Sequence, residues 1–159
     1  MAKNVAPQQP VAVNRKAFHD YFIEEEYEAG IALTGSEIKS VRAGRVNLRG
    51  SFARVAAGEL WLYDTHISHN EQTGALFQHE PTRPRKLLLH RREINRIIGR
   101  LEQKGLTLVP LDIHFSNRRA KVRLGLARGK KLYDKREATA ERDAQRQIER
   151  AVKERRYDD

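Results

Sequence analysis

The chain has 159 residues, enough to enclose one hydrophobic core and little more. Its 31 Lys and Arg against 21 Asp and Glu leave a formal charge of +10, a field that draws polyanions and puts nucleic acid first among partners; an anionic membrane would need an apolar helix face or a lipid anchor beside the charge, and the sequence carries neither. The absence of Cys excludes disulfides, thiolate metal sites and thiol nucleophiles together.

Residues Met1 to Val13 are Ala, Pro, Gln and Val without a period, a composition that predicts a disordered leader over 1–13 with nothing to bury. It has no apolar run of signal-peptide length, and no later stretch reaches transmembrane length, so a soluble cytoplasmic protein is expected. The domain begins at Asn14. From Asp20 to Leu33, aromatic and β-branched residues surround the acidic run Glu24 to Glu26 and predict two short strands or one bent strand. Ser36 can cap a short helix to Ala43, with Glu37 in its first turn and Gly44 as its stop. Residues 51–55 and 59–63 flank Ala57–Gly58 as a hairpin does, and a further strand fits Thr65 to Ser68.

Asn70 to Pro84 carries Gly, Pro, Thr and His without periodicity and reads as a surface loop. If the following Leu87–Leu88–Leu89 is extended, Leu88 faces opposite to its neighbours, and the leucines are first of all core material. Ile94, Ile97, Ile98 and Leu101 fall at helical spacing and predict a helix over Arg91 to Lys104, stopped by Gly105. Leu106 to Phe115 and Ala120 to Ala127 then read as paired strands, the second alternating so that Lys121 and Arg123 face solvent. Beyond Ala127, Glu, Arg and Ala dominate, a composition that favours helix but lacks apolar residues to anchor one, so the tail 128–159 is expected to be mostly disordered when free. Short strands with one amphipathic helix suggest a mainly β chain: a small OB-like antiparallel β-barrel over 14–127 with flanking short helices and a flexible basic C-terminal tail.

The densest basic run is Arg118 to Arg136, where Arg118, Arg119, Lys121, Arg123, Arg128, Lys130, Lys131, Lys135 and Arg136 stand against Asp134 alone. Cations alternating on a strand and continuing into a flexible segment suit a phosphate backbone, and Tyr133 among them could stack a base or pack back on the barrel. The cluster Glu24, Glu25, Glu26 and Glu28 is a poor acid-base or metal site, because consecutive strand residues point to opposite faces. His66 and His69 have a His-x-x-His spacing without further ligands to complete a zinc shell. No phosphate-binding loop, dinucleotide fingerprint or triad order is present, so neither an enzyme nor a cofactor is expected. A metal-dependent nuclease built on the acidic cluster, and a general structured-RNA-binding protein of the ribosomal or chaperone type, are the competing readings.

Three blocks resemble the SmpB family, the SsrA-binding proteins of bacterial trans-translation: NRKAFHDYFIEEEYEAGIALTGSEIKSVRAG from Asn14, PTRPRKLLLHRREI from Pro81, and KVRLGLARGKKLYDKR from Lys121. The resemblance implies an OB-like barrel that binds the tRNA-like domain of transfer-messenger RNA, a monomer without cofactor. It would enter the empty decoding centre and mRNA channel of a stalled ribosome's small subunit in place of a missing anticodon arm. By the same resemblance Asn14, His19, Glu28, Leu88 and Lys121 lie on the RNA-binding surface, which Arg123 joins from its place on the strand. Gly129, Lys130, Lys131, Tyr133, Asp134, Lys135 and Arg136 belong to the tail near the decoding centre, with the segment that follows becoming helical there. Two departures stand out: Tyr133, where many members carry His, and Arg49–Gly50–Ser51–Phe52, where an acidic residue often precedes the Ser.

Overall fold

The computed structural model describes residues 9–70, 74, 78–103, 105–130 and 132–157, by backbone alone at 132–135, 138 and 155–157. In chain order the elements are β1 (Ala12–Val13), α1 (Arg15–Asp20), β2 (Tyr21–Ile31), α2 (Gly35–Arg42), β3 (Val46–Asn47), β4 (Phe52–Ala56), β5 (Glu59–Tyr63), β6 (His66–Ile67), β7 (Arg85–Leu88), α3 (Arg91–Leu101), β8 (Leu106–Ser116), β9 (Arg119–Gly129) and α4 (Leu132–Tyr157). The main sheet runs β1-β8-β4-β5-β7-β2-β9, and β9 pairs again with β8, so the antiparallel ladder returns on itself as an OB-like barrel. β3 and β6 form a separate small ladder.

Closure follows from alternation. On β9, Val122, Leu124 and Leu126 are fully buried while Lys121 and Arg123 stand on the other face. Their inner partners are Ala29 and Tyr27 on β2 and Ile113 and Leu108 on β8. Leu60, Leu62 and Leu87 line the opposite wall, and α3 adds Ile94 and Ile97 to the same core. The β4–β5 hairpin turns through Ala57 and Gly58, both at positive φ (53° and 75°), the handedness that matches strand twist.

Two register breaks shape the outer surface. On β8 the pairing slips between Pro110 and Asp112, leaving Leu111 as the extra residue. Val109 and Leu111 therefore sit outside the main core and, with Ala17 and Ala127, form a second apolar cluster that seats α1. Beyond the bulge, Ile113 turns back inward. On β2 the slip between Ile23 and Glu25 isolates Glu24, which reaches Arg100 of α3 at 2.9 Å and Arg128 of β9 at 3.2 Å.

A buried ion pair ties α2 to β7. Glu37 and Arg85 are both fully buried, and Glu37 also receives Arg83. Burial pushes the Glu37 carboxyl up, but hydrogen bonds from Arg83, the Thr34 amide and Arg85 outweigh it and hold the group below the usual carboxylate range. Burial also lowers the Arg85 guanidinium from its ordinary value, against the pull of Glu37. Arg85 Nη1 and Nη2 donate to the carbonyls of Thr65 and Pro81 at 2.8 and 3.0 Å, so each guanidinium nitrogen has an acceptor.

Several expectations need correcting. The leader ends before Val13, because Val11 N–H donates to Ile113 O at 2.7 Å and Ala12–Val13 adds a strand to β8; residues 1–8 lie outside the described residues. The cap of α2 is Thr34, whose hydroxyl accepts from Glu37 N while the Glu37 carboxylate accepts from Thr34 N. Ser36 instead pairs with the buried His79 at 2.8 Å. α1 was not anticipated, since six residues carry too little periodicity to announce a helix. The tail forms α4, a 26-residue helix in keeping with its Glu, Arg and Ala propensity. That helix meets the barrel through α1, where His19 Nε2 lies 3.1 Å from Thr139 Oγ1.

Candidate nucleic-acid interface

The outer face of β7, β2, β9 and β8 is ordered by register into rows. The first row is Leu88, Gly30, Lys121 and His114, each paired with the next across the ladder. Leu88 is 51% exposed. Gly30 allows this row to lie flat, since a Cβ there would come within 3.2 Å of Leu88 Cβ. The second row is Glu28, Arg123 and Asp112. Four of the residues that the sequence reading names, Glu28, Leu88, Lys121 and Arg123, thus meet on one surface.

Electrostatics divides the two cations. Arg123 Nε lies 2.8 Å from Asp112 Oδ2 and its Nη1 3.5 Å from Glu26 Oε2. Its charge is answered within the protein, though Nε makes no aligned hydrogen bond among the described residues. Lys121, half-buried along its stem, has no carboxylate within ion-pair distance among the described residues, so its charge is available to an incoming anion. Asp112 and His114 were missed by sequence reasoning. Their i, i+2 spacing placed them on one face, but only the register of β8 with β9 shows that they oppose Arg123 and Lys121.

The four glutamates of β2 do not converge on a metal. Glu24 meets Arg100 and Arg128, Glu25 meets Arg96 and Arg100, Glu26 meets Arg123, and Glu28 lies 3.4 Å from His114 Nε2. A hydrogen bond from Tyr27 at 2.5 Å, aided by Arg96 and Arg100, holds Glu25 below the ordinary range, while burial and that same bond push Tyr27 up to about 12. His66 is exposed, and the His69 ring nitrogen Nε2 bonds the His79 carbonyl at 2.8 Å.

α1 continues the surface from Leu111, the residue before Asp112. Asn14 is 4% exposed and engaged at both ends of its side chain: its amide donates to Pro110 O at 2.9 Å and its carbonyl accepts from Ala17 N at 3.2 Å. It starts α1 and docks it on β8. His19 has both ring nitrogens engaged, with Asp20 at 2.9 Å and Thr139 at 3.1 Å.

Where β9 leaves the barrel, Gly129 is exposed and Lys130 N donates to Asp20 O at 2.8 Å. Lys130 Nζ lies 4.9 Å over the ring of Phe22, which is 49% exposed, and 3.4 Å from Phe18 O. Arg136 is exposed on α4. Lys131 lies outside the described residues, as do the side chains of Tyr133, Asp134 and Lys135. No helix among the described residues is long and apolar enough to cross a membrane.

An OB-like barrel with an unanswered cation, a half-exposed carboxylate and an exposed Leu in register on one outer face, continued by a basic helix, defines a nucleic-acid-binding barrel with a tail. Comparison with known proteins narrows the class. The model of the SmpB protein family matches residues 11–154. An SsrA-binding protein of Roseiflexus sp. (strain RS-1) is 68% identical over 155 residues, covering 98% of each chain. One from Chloroflexus aggregans is 70% identical over 145 residues, covering 91% of this chain and 92% of its own. A solved structure described as "tmRNA-SmpB: a journey to the center of the bacterial ribosome" aligns with a TM-score of 0.67 at 55% identity, over 82% of this chain and 95% of its own. The chain belongs to the SmpB family.

Proposed function

We propose that the protein is an RNA-binding adaptor of the cytoplasm that binds the tRNA-like domain of transfer-messenger RNA and delivers it to stalled ribosomes for trans-translation, standing in for the missing anticodon arm. Family membership supports the partner, as does the named complex of the solved relative. One observation on this chain carries the reading to its surface: on the outer face of β2 and β9, Arg123 and Arg128 are answered by Glu and Asp, whereas Lys121 has no carboxylate within ion-pair distance among the described residues and stands in register with Leu88 and beside Glu28. Phosphate can pair with Lys121, a base or ribose can lie on Leu88 across Gly30, and Glu28 can accept from a donor on the RNA.

The tail has a separate role. Gly129, Lys130 and Arg136, continued by Lys131, Tyr133, Asp134 and Lys135, engage the decoding centre, and α4 follows the mRNA channel. The protein contributes recognition and placement, and the peptide chemistry stays with the ribosome.

A gel-shift titration against the tRNA-like domain at about 0.15 M salt, with ordinary tRNA as competitor, tests the adaptor reading. Tight binding that resists the competitor is expected. Equal displacement by ordinary tRNA would reduce the protein to a general structured-RNA binder. A chain cut after Lys130, which leaves β9 whole, should keep RNA binding and lose ribosomal accommodation.

A further inference from the structure

Asp112 and His114 complete the outer face, and the reading above gives them no task. Asp112 Oδ1 lies 2.9 Å from His114 Nδ1. A carboxylate only accepts, so the ring proton belongs on Nδ1, and Nε2 of the neutral ring is then an acceptor. That Nε2 stands 3.4 Å from Glu28 Oε2, a second acceptor, which is longer than the contact on the proton-bearing side. The charged groups that face the ring's surroundings are Asp112 and Glu28 against Arg123 and Lys121, with Glu26 beyond Arg123. His114 is held on one side only, and its ring has 10% of its surface exposed beside the more open Glu28 at 34%.

We infer that His114 and Glu28 form a paired acceptor that selects a guanine in the bound RNA, with Asp112 as the positioning residue that sets the tautomer. Guanine carries two adjacent N–H donors on one edge, N1–H and the N2 amino group, and two neighbouring acceptors without a donor of their own are complementary to it. Lys121, opposite His114, is placed to hold the phosphate of the same segment. The inference rests on the reading that Glu28 faces RNA and adds the identity of the base.

The test uses full-length protein and tRNA-like-domain transcripts in which single guanosines are replaced by inosine, which removes only the N2 amino group. At one position the replacement should weaken wild-type binding roughly tenfold. His114→Phe should weaken binding to the unmodified transcript by a similar factor and bind the two transcripts equally. Asp112→Asn is nearly isosteric. Arg123 holds the amide oxygen, so the amide nitrogen donates to Nδ1, moves the ring proton to Nε2, and should erase the preference as well. Thermal melts of both variants establish that they are folded. Retained guanosine preference in His114→Phe, or no guanosine whose replacement matters to the wild type, overturns the inference. A wild type that fails to prefer the transcript over ordinary tRNA overturns the adaptor reading instead, so the two failures are distinguishable.

Discussion

Replacing Lys121 and Arg123 by Ala, one at a time, tests whether charge pairing within the barrel decides which cation the RNA uses. Lys121 has no acidic partner among the described residues, so a phosphate bound there releases a condensed counterion. One such contact contributes about 0.9 to the slope of log affinity against log salt, which makes Lys121→Ala about fivefold weaker at about 0.15 M and nearly equal to wild type close to 1 M. Arg123 is already paired with Asp112 and Glu26. Arg123→Ala should leave the slope unchanged and cost stability, because Asp112, with 8% of its side chain exposed, keeps only His114 as a partner. A loss of about 2 kcal/mol corresponds to a melting point lower by roughly 4–8 °C for a chain of this size. Filter binding at four salt concentrations and a thermal melt of each variant read both quantities. An Arg123→Ala protein that melts like wild type and loses as much slope as Lys121→Ala would refute the assignment.

Other outcomes follow from the same geometry. Gly125→Ala should destabilise by about 1–3 kcal/mol in a denaturant melt, since the new Cβ would meet Leu111 at 3.0 Å and push on the seat of α1. Glu37→Gln should cost about 3–5 kcal/mol near neutral pH by leaving Arg85 buried without its partner. Because the folded Glu37 carboxyl is depressed, its stabilisation is present above the ordinary carboxylate range and is lost as pH falls through the folded value, so the gap between wild type and Glu37→Gln should narrow in acid. Tyr27 has the opposite sign: raised to about 12 from 10.0, it stabilises below its unfolded value and loses that contribution as pH rises toward 12, whereas Tyr27→Phe should show no such loss. Arg118→Gly should raise stability by a few tenths to about 1 kcal/mol in the same melt, because Arg118 is held at φ 64° in the β8–β9 turn.

Elements with a strong period were legible from the residues alone. α3 announced itself through four apolar residues on one face, β9 through alternation, and the β4–β5 hairpin through Ala57–Gly58. Leu88 was placed correctly because a strand must alternate, and it stands exposed beside a buried Leu87. What composition could not supply was register. The bulge at Leu111 decides that Asp112 opposes Arg123, and the bulge at Glu24 sends that residue to α3 and β9. Neither bulge has a local signature, since each depends on which strand lies alongside. The acids and bases of the interface are therefore visible as a list in the sequence and as pairs only in the fold.

That difference bears on how a strongly basic chain achieves selectivity. A charge of +10 spread evenly would bind any polyanion, with affinity set by salt alone. Here the barrel answers part of its own charge around β2 and β7: Arg96, Arg100, Arg123 and Arg128 are held by Glu24, Glu25, Glu26 and Asp112, and Arg83 and Arg85 by Glu37. Internal pairing removes those cations from the counterion balance and leaves Lys121, with Arg119 two residues before it on β9, as the unpaired charges of the outer β9 face among the described residues. In the proposed complex a phosphate paired with Lys121 brings its base against Leu88 or against the Glu28–His114 acceptors, so the position of that ammonium would count for more than the total charge in setting the register of the RNA. Beyond β9 the balance is different, because from Lys130 to Arg136 Asp134 is the only acid. On the proposed function the barrel discriminates one RNA, and the tail holds whatever phosphate lines the channel.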